Sequence, residues 1–413
     1  DQLSAIFHVL GNTHMTVLSP DMLVSGIRQS QRDEPDSGIL SAVNHGFGRK
    51  GLIPLWTGEG PLQTPEFICQ AASKAMFDGE TFYTWQRGLP QLRGALAAYH
   101  EKFWPGPFSA ERFIVTGGGM QAIQVALQLL ADKGEEIVIP SPAWPNFPGP
   151  MRMMGVKPVF VPMLYDDQKW SLDLDRMRDS LGPKTKAICL ISPSNPIGWV
   201  ASREDLIAIR DMAREAGIWI LADEVYSRFY YGPDTAGMAR SPSFMDVCEQ
   251  DERVIYINTF SKNWAMTGWR LGWLQAPEAL GPAIERIIQY NTSGTAAFMQ
   301  KGALAALQNG EDFVEMQIDM ARTCRAKVAD ALGKLNNVSF ENPRGAFYSF
   351  FRIDGLTDSL GATLRIIDEA NVGLAPGGTF GPGGEGFLRM CYLRDPDSLD
   401  EALVRLTAWL RQA

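Results

Sequence analysis

Apolar residues in the central part of the chain form short continuous runs, which alternate with segments of helical spacing. Two of these segments, residues 120–132 and 205–216, predict helices. Continuous apolar runs are typical of strands buried on both faces of a parallel sheet. The predicted strands are residues 112–115, 136–139, 157–161, 187–191, 218–222 and 254–258. Strands that alternate with helices predict an α/β layer with a largely parallel sheet, which the last of these strands completes.

The pattern differs on either side of this alternation. Residues 1–53 are irregular, and helices are predicted at residues 66–77 and 86–102. A long helical region extends from about residue 296 to about residue 335. Shorter elements follow it: strands at residues 346–351 and 387–392, and helices at residues 364–370 and 399–410. We expect a large domain at residues 66–295. A smaller α+β domain is expected at residues 296–413, joined by the N-terminal segment 1–65.

Composition excludes several classes of function. The chain of 413 residues is 45% hydrophobic and 21% charged, and its net charge of −9 argues against nucleic acid or an anionic membrane as partner. No apolar run is long enough to span a bilayer. Five scattered cysteines without a CxxC pair predict a reducing, cytoplasmic environment. All four histidines lie in the first quarter of the chain, which disfavours a metal site or a Ser-His-Asp triad.

Ligands of open α/β sheets bind beyond the carboxyl ends of the strands, so the residues that follow each strand are the candidates. Thr116–Ala122 reads TGGGMQA and joins the first strand to a helix. Its glycines and helix start favour a phosphate, although a plain tight turn explains them too. The spacing also fits a nicotinamide site, but Pro140-Ser141-Pro142 stands where that site needs an acidic residue. Two literal GxGxxG strings, at residues 46–51 and 381–386, are interpreted as loops.

The next two strand ends offer groups for a flat aromatic ligand. Trp144 lies between prolines and can stack on a heteroaromatic ring, although core packing explains it equally well. Asn195 can donate to a ring hydroxyl oxygen, although a simple turn explains Ser194–Gly198 too.

A carboxylate, Asp223, follows the fully apolar run 218–222. A carboxylate in apolar surroundings is costly unless it has a partner. A protonated pyridine nitrogen is such a partner, and the pair makes the ring an electron sink. Tyr226 lies close enough in the chain to reach a hydroxyl on the same ring, and Glu224 is interpreted as structural.

Lys262 and Arg270 follow the last predicted strand, in a largely apolar and aromatic segment. A desolvated lysine loses pKa and becomes a nucleophile and base, and an arginine offers a planar fork to a phosphate. The alternative is that both cations are solvated on an exposed turn. Because the candidates follow successive strands in order, we favour one shared ligand, pyridoxal phosphate. The nicotinamide interpretation explains only the first candidate.

The chain from Ser37 to its end resembles the fold type I, class I/II aminotransferases of the aspartate aminotransferase superfamily. The most specific match is Thr259–Lys262 (TFSK) followed by Met266–Gly272 (MTGWRLG). The resemblance implies a three-layer large domain with a mostly parallel mixed sheet. It also implies that Lys262 holds the cofactor and moves the substrate Cα proton. It further implies phosphate binding by Gly118, Gly119, Met120, Thr259, Ser261 and Arg270. The implied ring-binding residues are Asp223, Asn195, Tyr226 and Trp144.

The same resemblance bears on the substrate and on assembly. Arg389 matches the arginine that clamps the substrate α-carboxylate, Gly58 matches a backbone contact beside it, and Trp144 and Asn195 also face the substrate. Tyr83 matches a tyrosine that reaches the phosphate of the neighbouring subunit, which implies a homodimer with shared sites. The family usually reads GEPDF where this chain has GEGPL at residues 58–62, so side-chain specificity is in doubt.

These observations predict a PLP-dependent aminotransferase that moves an amino group from an L-amino acid to a 2-oxo acid such as 2-oxoglutarate. By resemblance the donor is aspartate-like or aromatic. The first alternative is a β-lyase or synthase on the same fold. The second is a non-catalytic PLP-binding regulator module, which is disfavoured because only residues 1–36 precede the match and they show no helix-turn-helix pattern.

Overall fold

The computed structural model describes residues 19–232 and 239–412. The chain divides into two compact units, residues 1–35 and 36–413. The described part of the first unit contains two short helices, Pro20–Ser25 and Gln29–Arg32. In the second unit the helices are Gly38–Gly46, Glu66–Phe77, Pro90–Glu101, Gly118–Leu130, Pro148–Met154, Leu174–Asp179, Arg203–Ala216, Phe260–Asn263, Gly281–Gln289, Ala297–Asn309, Glu311–Leu332, Ser359–Ala370 and Pro396–Leu410.

The strands of the second unit form four sheets. In chain order they are β1 (Ile53–Pro54), β2 (Phe113–Thr116), β3 (Glu136–Ser141), β4 (Lys157–Pro162), β5 (Leu164–Asp166), β6 (Lys169–Ser171), β7 (Thr185–Ile191), β8 (Trp219–Asp223), β9 (Val254–Thr259), β10 (Gly272–Gln275), β11 (Val338–Phe340), β12 (Tyr348–Ile353), β13 (Val372–Gly373), β14 (Ala375–Pro376) and β15 (Phe387–Cys391).

The largest sheet has seven strands in the order β2-β10-β9-β8-β7-β3-β4. Neighbours from β9 to β4 pair in parallel, whereas β10 runs antiparallel to both β2 and β9. The predicted mostly parallel, mixed sheet is therefore confirmed. The expectation that residues 254–258 complete it was wrong, because β10 follows them and inserts between β9 and β2.

Alternate residues of each central strand pack into two separate hydrophobic cores. In β3, Ile137 and Ile139 belong to one core and Val138 belongs to the other. Helices Gly118–Leu130 and Gly281–Gln289 contribute to the first core, and helix Arg203–Ala216 contributes to the second. Burial on both faces explains the continuous apolar runs and gives three layers, with the sheet between two layers of helices.

The C-terminal part contains an antiparallel sheet of four strands in the order β11-β12-β15-β14. Its helices include Glu311–Leu332, Ser359–Ala370 and Pro396–Leu410, and β1 pairs in parallel with β13. Residues 53–54 thus join the C-terminal part of the chain. The domain boundaries after residues 65 and 295 stay a prediction.

The bounds of the helices agree only in part with those predicted from the sequence. Helix Glu66–Phe77 has the predicted bounds, whereas the helix expected at residues 86–102 begins only at Pro90. The long helical region after residue 296 is two helices that meet at Gly310. Among the described residues, no helix combines the length and the apolar character needed to cross a membrane.

Candidate active site

The carboxyl ends of the parallel strands bring the predicted groups to one edge of the sheet. Asp223 is the last residue of β8 and Thr259 the last of β9, and these strands are neighbours. Asn195 lies in the loop after β7, the next strand along. Gly118 begins the helix that follows β2. Because of the order of the strands, candidate residues that are far apart in the sequence lie at the same edge of the sheet.

Lys262 lies on the short helix Phe260–Asn263, which directly follows β9. Its Nζ atom donates to the backbone oxygen of Gly58 at 2.7 Å and lies 5.7 Å from the ring centroid of Tyr226. Burial lowers the pKa of Lys262 from 10.5 to about 8, and Arg389 and Arg270 act in the same direction. The amine is therefore available in its neutral, nucleophilic form near neutral pH.

We expect the apoprotein to show this titration directly. Acylation of Lys262 by a trace amine-reactive reagent should rise about tenfold per pH unit below pH 8 and level off above it, because only the neutral amine reacts. Mass spectrometry of the digested protein measures the rate, with exposed Lys169 as internal reference. A Lys262 rate that still rises tenfold per unit between pH 9 and 10 contradicts the lowered pKa.

Asp223 is only 2% exposed, and its Oδ1 accepts a hydrogen bond from the backbone N–H of Val225 at 3.2 Å. Burial raises its pKa to about 7, while that hydrogen bond and the charge of Lys262 lower it. Neighbouring Glu224 is also buried, but it accepts from the Ser243 hydroxyl and from the N–H of Phe244. Glu224 is thus held by two protein donors, whereas Asp223 accepts from the N–H of Val225 and, as a buried carboxylate, favours a cationic partner.

A candidate anion site lies at the start of helix Gly118–Leu130. Gly118 has a φ of +81°, and a Cβ atom placed there would lie 2.7 Å from the Arg270 guanidinium. The backbone of Arg270 adopts the left-handed conformation, with a φ of +53°. The Arg270 guanidinium donates to the Thr267 backbone oxygen at 2.7 Å. The hydroxyls of Thr259 and Ser261 are 2.9 Å apart, and Thr259 lies beside Gly119. Helix N–H groups, a guanidinium and hydroxyls together suit a phosphate.

Arg389 is buried on β15 with an exposure of 3%. Its Nη1 donates to Asn195 Oδ1 at 2.9 Å, its Nη2 donates to the Trp56 backbone oxygen, and its buried Nε has no partner. The guanidinium lies between two rings, 4.7 Å from Tyr348 and 5.0 Å from Phe380. Within the described residues no carboxylate forms a salt bridge with Arg389. A buried cation in this state suits an anionic ligand.

Two predicted residues lie apart from these contacts. Trp144, in the loop after β3, is partly exposed and packs against the same hydrophobic core as Met120. Tyr83 is 94% exposed and lines a cavity of about 290 Å³ together with Phe82 and residues 292–296. The roles of Trp144 and Tyr83 stay predictions.

Sequence reasoning missed Tyr348, which contacts several of the predicted groups. Its hydroxyl lies 2.7 Å from that of Tyr226, and its ring packs against Arg389. Tyr348 begins β12, within the apolar stretch Ala346–Phe351, where an aromatic residue is ordinary core. Its partner is far away in the sequence, so no local pattern indicated this contact.

Comparison with known proteins assigns the chain to a family. Residues 50–406 match the family model Aminotransferase class I and II. The chain belongs to this family, and it is a PLP-dependent aminotransferase that acts on amino acids and 2-oxo acids. The predicted family, enzyme class and cofactor are confirmed.

The names of the relatives give several different substrates. A probable aspartate/prephenate aminotransferase of Aquifex aeolicus is 32% identical, over 87% of this chain and 91% of that protein. Aromatic-amino-acid aminotransferase 2 of Thermococcus litoralis is 34% identical, over 88% of this chain and 93% of that protein. The solved structure of the aspartate aminotransferase of Thermotoga maritima matches with a TM-score of 0.86 and 30% identity, over 93% of this chain and all of that one.

The residues present fit pyridoxal phosphate. Gly118 lets the Arg270 guanidinium pack against the start of the helix, where a Cβ atom would collide with it, and so forms a cradle for an anion. Asp223 is a buried carboxylate with the charge needed beside a protonated pyridine nitrogen. Lys262 is an amine of lowered pKa, which suits reaction with an aldehyde. The phosphate, the pyridine nitrogen and the aldehyde of the cofactor would thus each have a complementary group in the protein.

Proposed function

We propose that the enzyme moves the amino group of an aspartate-like or aromatic L-amino acid to a 2-oxo acid such as 2-oxoglutarate. The spacing of Lys262 and Arg389 supports an α-amino acid as the substrate, and the names of the aspartate/prephenate and aromatic-amino-acid aminotransferase relatives support the choice of donor. Lys262 donates to the oxygen of Gly58 and Arg389 donates to the oxygen of Trp56, two residues away in the same segment. Two residues of extended chain span roughly 7 Å at most. An α-amino acid can therefore meet the guanidinium with its carboxylate while its Cα faces the lysine amine.

In the proposed reaction Lys262 takes the proton from the substrate Cα and returns it, by general acid–base catalysis. The bound cofactor supplies an electron sink that makes this proton acidic. Asp223 stabilises the positive charge on the ring nitrogen, and Asn195 and Tyr226 bind the ring hydroxyl oxygen. Trp144 stacks on the ring.

The phosphate in this proposal lies at the start of helix Gly118–Leu130. The binding groups are the backbone of Gly118, Gly119 and Met120, the hydroxyls of Thr259 and Ser261, and the Arg270 guanidinium.

Gly118→Ala is expected to weaken cofactor binding by roughly 10- to 100-fold. The new Cβ displaces Arg270, and a hydrogen bond to a charged group contributes about 1.5–3 kcal/mol. Gly134→Ala is the matched control, because Gly134 is also left-handed, with a φ of +90°, but has open space around it. Titration of both apoproteins with pyridoxal phosphate measures the dissociation constants. Equal weakening in the two variants would mean that backbone strain, not the cradle, is responsible.

Donor choice is tested by incubating the holoenzyme with single amino acids and 2-oxoglutarate and measuring glutamate. L-aspartate, L-phenylalanine, L-tyrosine and L-alanine form the first set. Glutamate formation fastest with an aspartate-like or aromatic donor supports the proposal, and fastest formation with alanine contradicts it. Release of ammonia and a 2-oxo acid without any acceptor would instead support the lyase alternative.

We also propose a homodimer in which Tyr83 of one subunit reaches the phosphate site of the other. The support is a set of large aromatic side chains that the described chain leaves in solvent. Their exposures are between 61% and 94%, and they are Phe77, Phe82, Tyr83, Trp85 and Tyr290. Exposed aromatic groups at this density are typical of protein interfaces.

Mixing two inactive variants tests the shared site. A dimer formed from Lys262→Ala and Tyr83→Ala subunits contains one site with both residues intact, so random reassortment should restore about a quarter of the sites. Activity after unfolding and refolding of an equimolar mixture measures this recovery. The control pair, Lys262→Ala with Arg270→Ala, should recover nothing, because every site then lacks one residue. Absence of recovery in the first mixture, with heterodimers present, contradicts sharing.

A further inference from the structure

Tyr348 contacts two groups that the proposed reaction uses for different purposes. It is 1% exposed and stands opposite Cys391 in the register of β12 and β15. Its hydroxyl oxygen is 2.7 Å from that of Tyr226, and its ring lies edge-on to the Tyr226 ring at 5.6 Å. The opposite contact is with Arg389, whose guanidinium carbon is 4.7 Å from the ring centroid.

We propose that Tyr348 is a positioning residue that orients both Tyr226 and Arg389. Its hydroxyl donates to the Tyr226 oxygen, which directs the Tyr226 proton toward the ring of the cofactor. Its ring supports the guanidinium that receives the substrate carboxylate. This inference rests on the proposed roles of Tyr226 and Arg389 and adds a third residue that acts through them.

The charges around the two phenols favour one direction of the hydrogen bond. A phenol has one proton to donate, so only one of the two hydroxyls donates within the pair. Tyr348 lies against the cation of Arg389, which makes its hydroxyl the better donor. Burial raises the pKa of Tyr348, and Arg389 partly offsets this rise. Burial also raises the pKa of Tyr226; there Arg389 again opposes the rise, but Asp223 adds to it, which favours Tyr226 as the acceptor.

The hydroxyl proton of Tyr226 is available to a group outside the pair of tyrosines. Because its oxygen accepts from Tyr348, its own O–H is free for another acceptor. The ring of Tyr226 lies 5.7 Å from the amine of Lys262, the residue proposed to hold the cofactor. Consecutive hydrogen bonds polarise one another, so donation by Tyr348 strengthens donation by Tyr226.

Gly58 shows how tightly Tyr348 is placed. A Cβ atom at Gly58 would collide with the Tyr348 hydroxyl, while the Gly58 oxygen holds the Lys262 amine. The hydroxyl is therefore confined between Tyr226 and the backbone of Gly58. A confined hydroxyl loses little freedom on cofactor binding, which suits a positioning role.

Two substitutions separate the two contacts. Tyr348→Phe keeps the ring but removes the hydroxyl, so we expect kcat to fall about fivefold, as for loss of one neutral hydrogen bond, with KM for the donor nearly unchanged. Tyr348→Leu also removes the ring beneath Arg389, so KM for the donor should rise a further five- to tenfold. Tyr392→Phe is the matched control, because this buried hydroxyl bonds the Ala346 backbone oxygen and Tyr231, neither of which the proposed reaction uses.

The decisive measurement uses Tyr226→Phe as a second background. Cofactor affinity of each apoprotein, from quenching of tryptophan fluorescence, and the absorption band of the bound cofactor give readouts independent of turnover. We expect Tyr348→Phe to weaken affinity about fivefold and to shift the band, but to do neither once Tyr226 is Phe. Equal effects in both backgrounds overturn the inference while leaving the proposed function intact. If Tyr226→Phe alone changes neither readout, the proposed role of Tyr226 fails and the inference fails with it.

Discussion

The Lys262→Ala variant is expected to lose at least roughly 10⁴-fold in kcat/KM, because it lacks both the covalent partner of the cofactor and the proton-transfer base. In the structure one residue, Lys262, is suited to both functions. The Lys262 Nζ atom is 2.7 Å from the Gly58 oxygen, and burial lowers the pKa of Lys262 to about 8. The neighbouring cations, Arg389 and Arg270, cannot replace it, since a guanidinium does not deprotonate in proteins.

Two measurements check this expectation. Steady-state rates with the best donor give the loss of activity, and borohydride reduction followed by mass spectrometry shows whether the cofactor is covalently attached. The matched control is Lys169→Ala, which removes an exposed lysine. A Lys262→Ala protein that still traps the cofactor covalently would contradict the assignment of the lysine.

Much of the site was predictable because its residues follow strand ends in sequence order. Asp223 ends β8, Asn195 and Lys262 follow β7 and β9 within a few residues, and parallel strands have their carboxyl ends at one edge of the sheet. Local chemistry then indicates the ligand, since a buried carboxylate needs a cation and a desolvated lysine is reactive. The proximity of Asp223, Asn195 and Lys262 in space depends in addition on the strand order, which places β7, β8 and β9 side by side.

The remaining parts depend on register and on distant contacts. β10 was missed because Gly272–Gln275 lies in an aromatic segment without a clear period, and only its pairing with β2 and β9 makes it a strand. Arg389 was found by resemblance alone, since an arginine on a late strand is ordinary. The structural support for a binding role of Arg389 is its burial between the rings of Tyr348 and Phe380, which no local sequence pattern indicates.

Arg389→Leu is expected to lower kcat/KM for amino acid donors by roughly 10²- to 10³-fold. Loss of one partner from a buried, hydrogen-bonded charge pair costs about 2–5 kcal/mol, and the substrate carboxylate is the partner left unpaired. Arg389→Lys keeps the charge but loses the planar fork that holds Asn195 and the Trp56 oxygen, so most of the loss should remain. Arg352→Lys, an exposed substitution on the adjoining β12, is the control and should leave activity unchanged.

An amine that lacks the carboxylate separates recognition from a general disturbance of the site. If Arg389 binds the carboxylate, wild-type protein and Arg389→Leu should convert phenethylamine equally slowly, because neither can use the missing group. The ratio of kcat/KM values for phenylalanine and phenethylamine should therefore fall by roughly 10²- to 10³-fold in the variant. A variant that loses activity equally toward both compounds would place the role of Arg389 in positioning Asn195, its other partner, and not in holding the substrate.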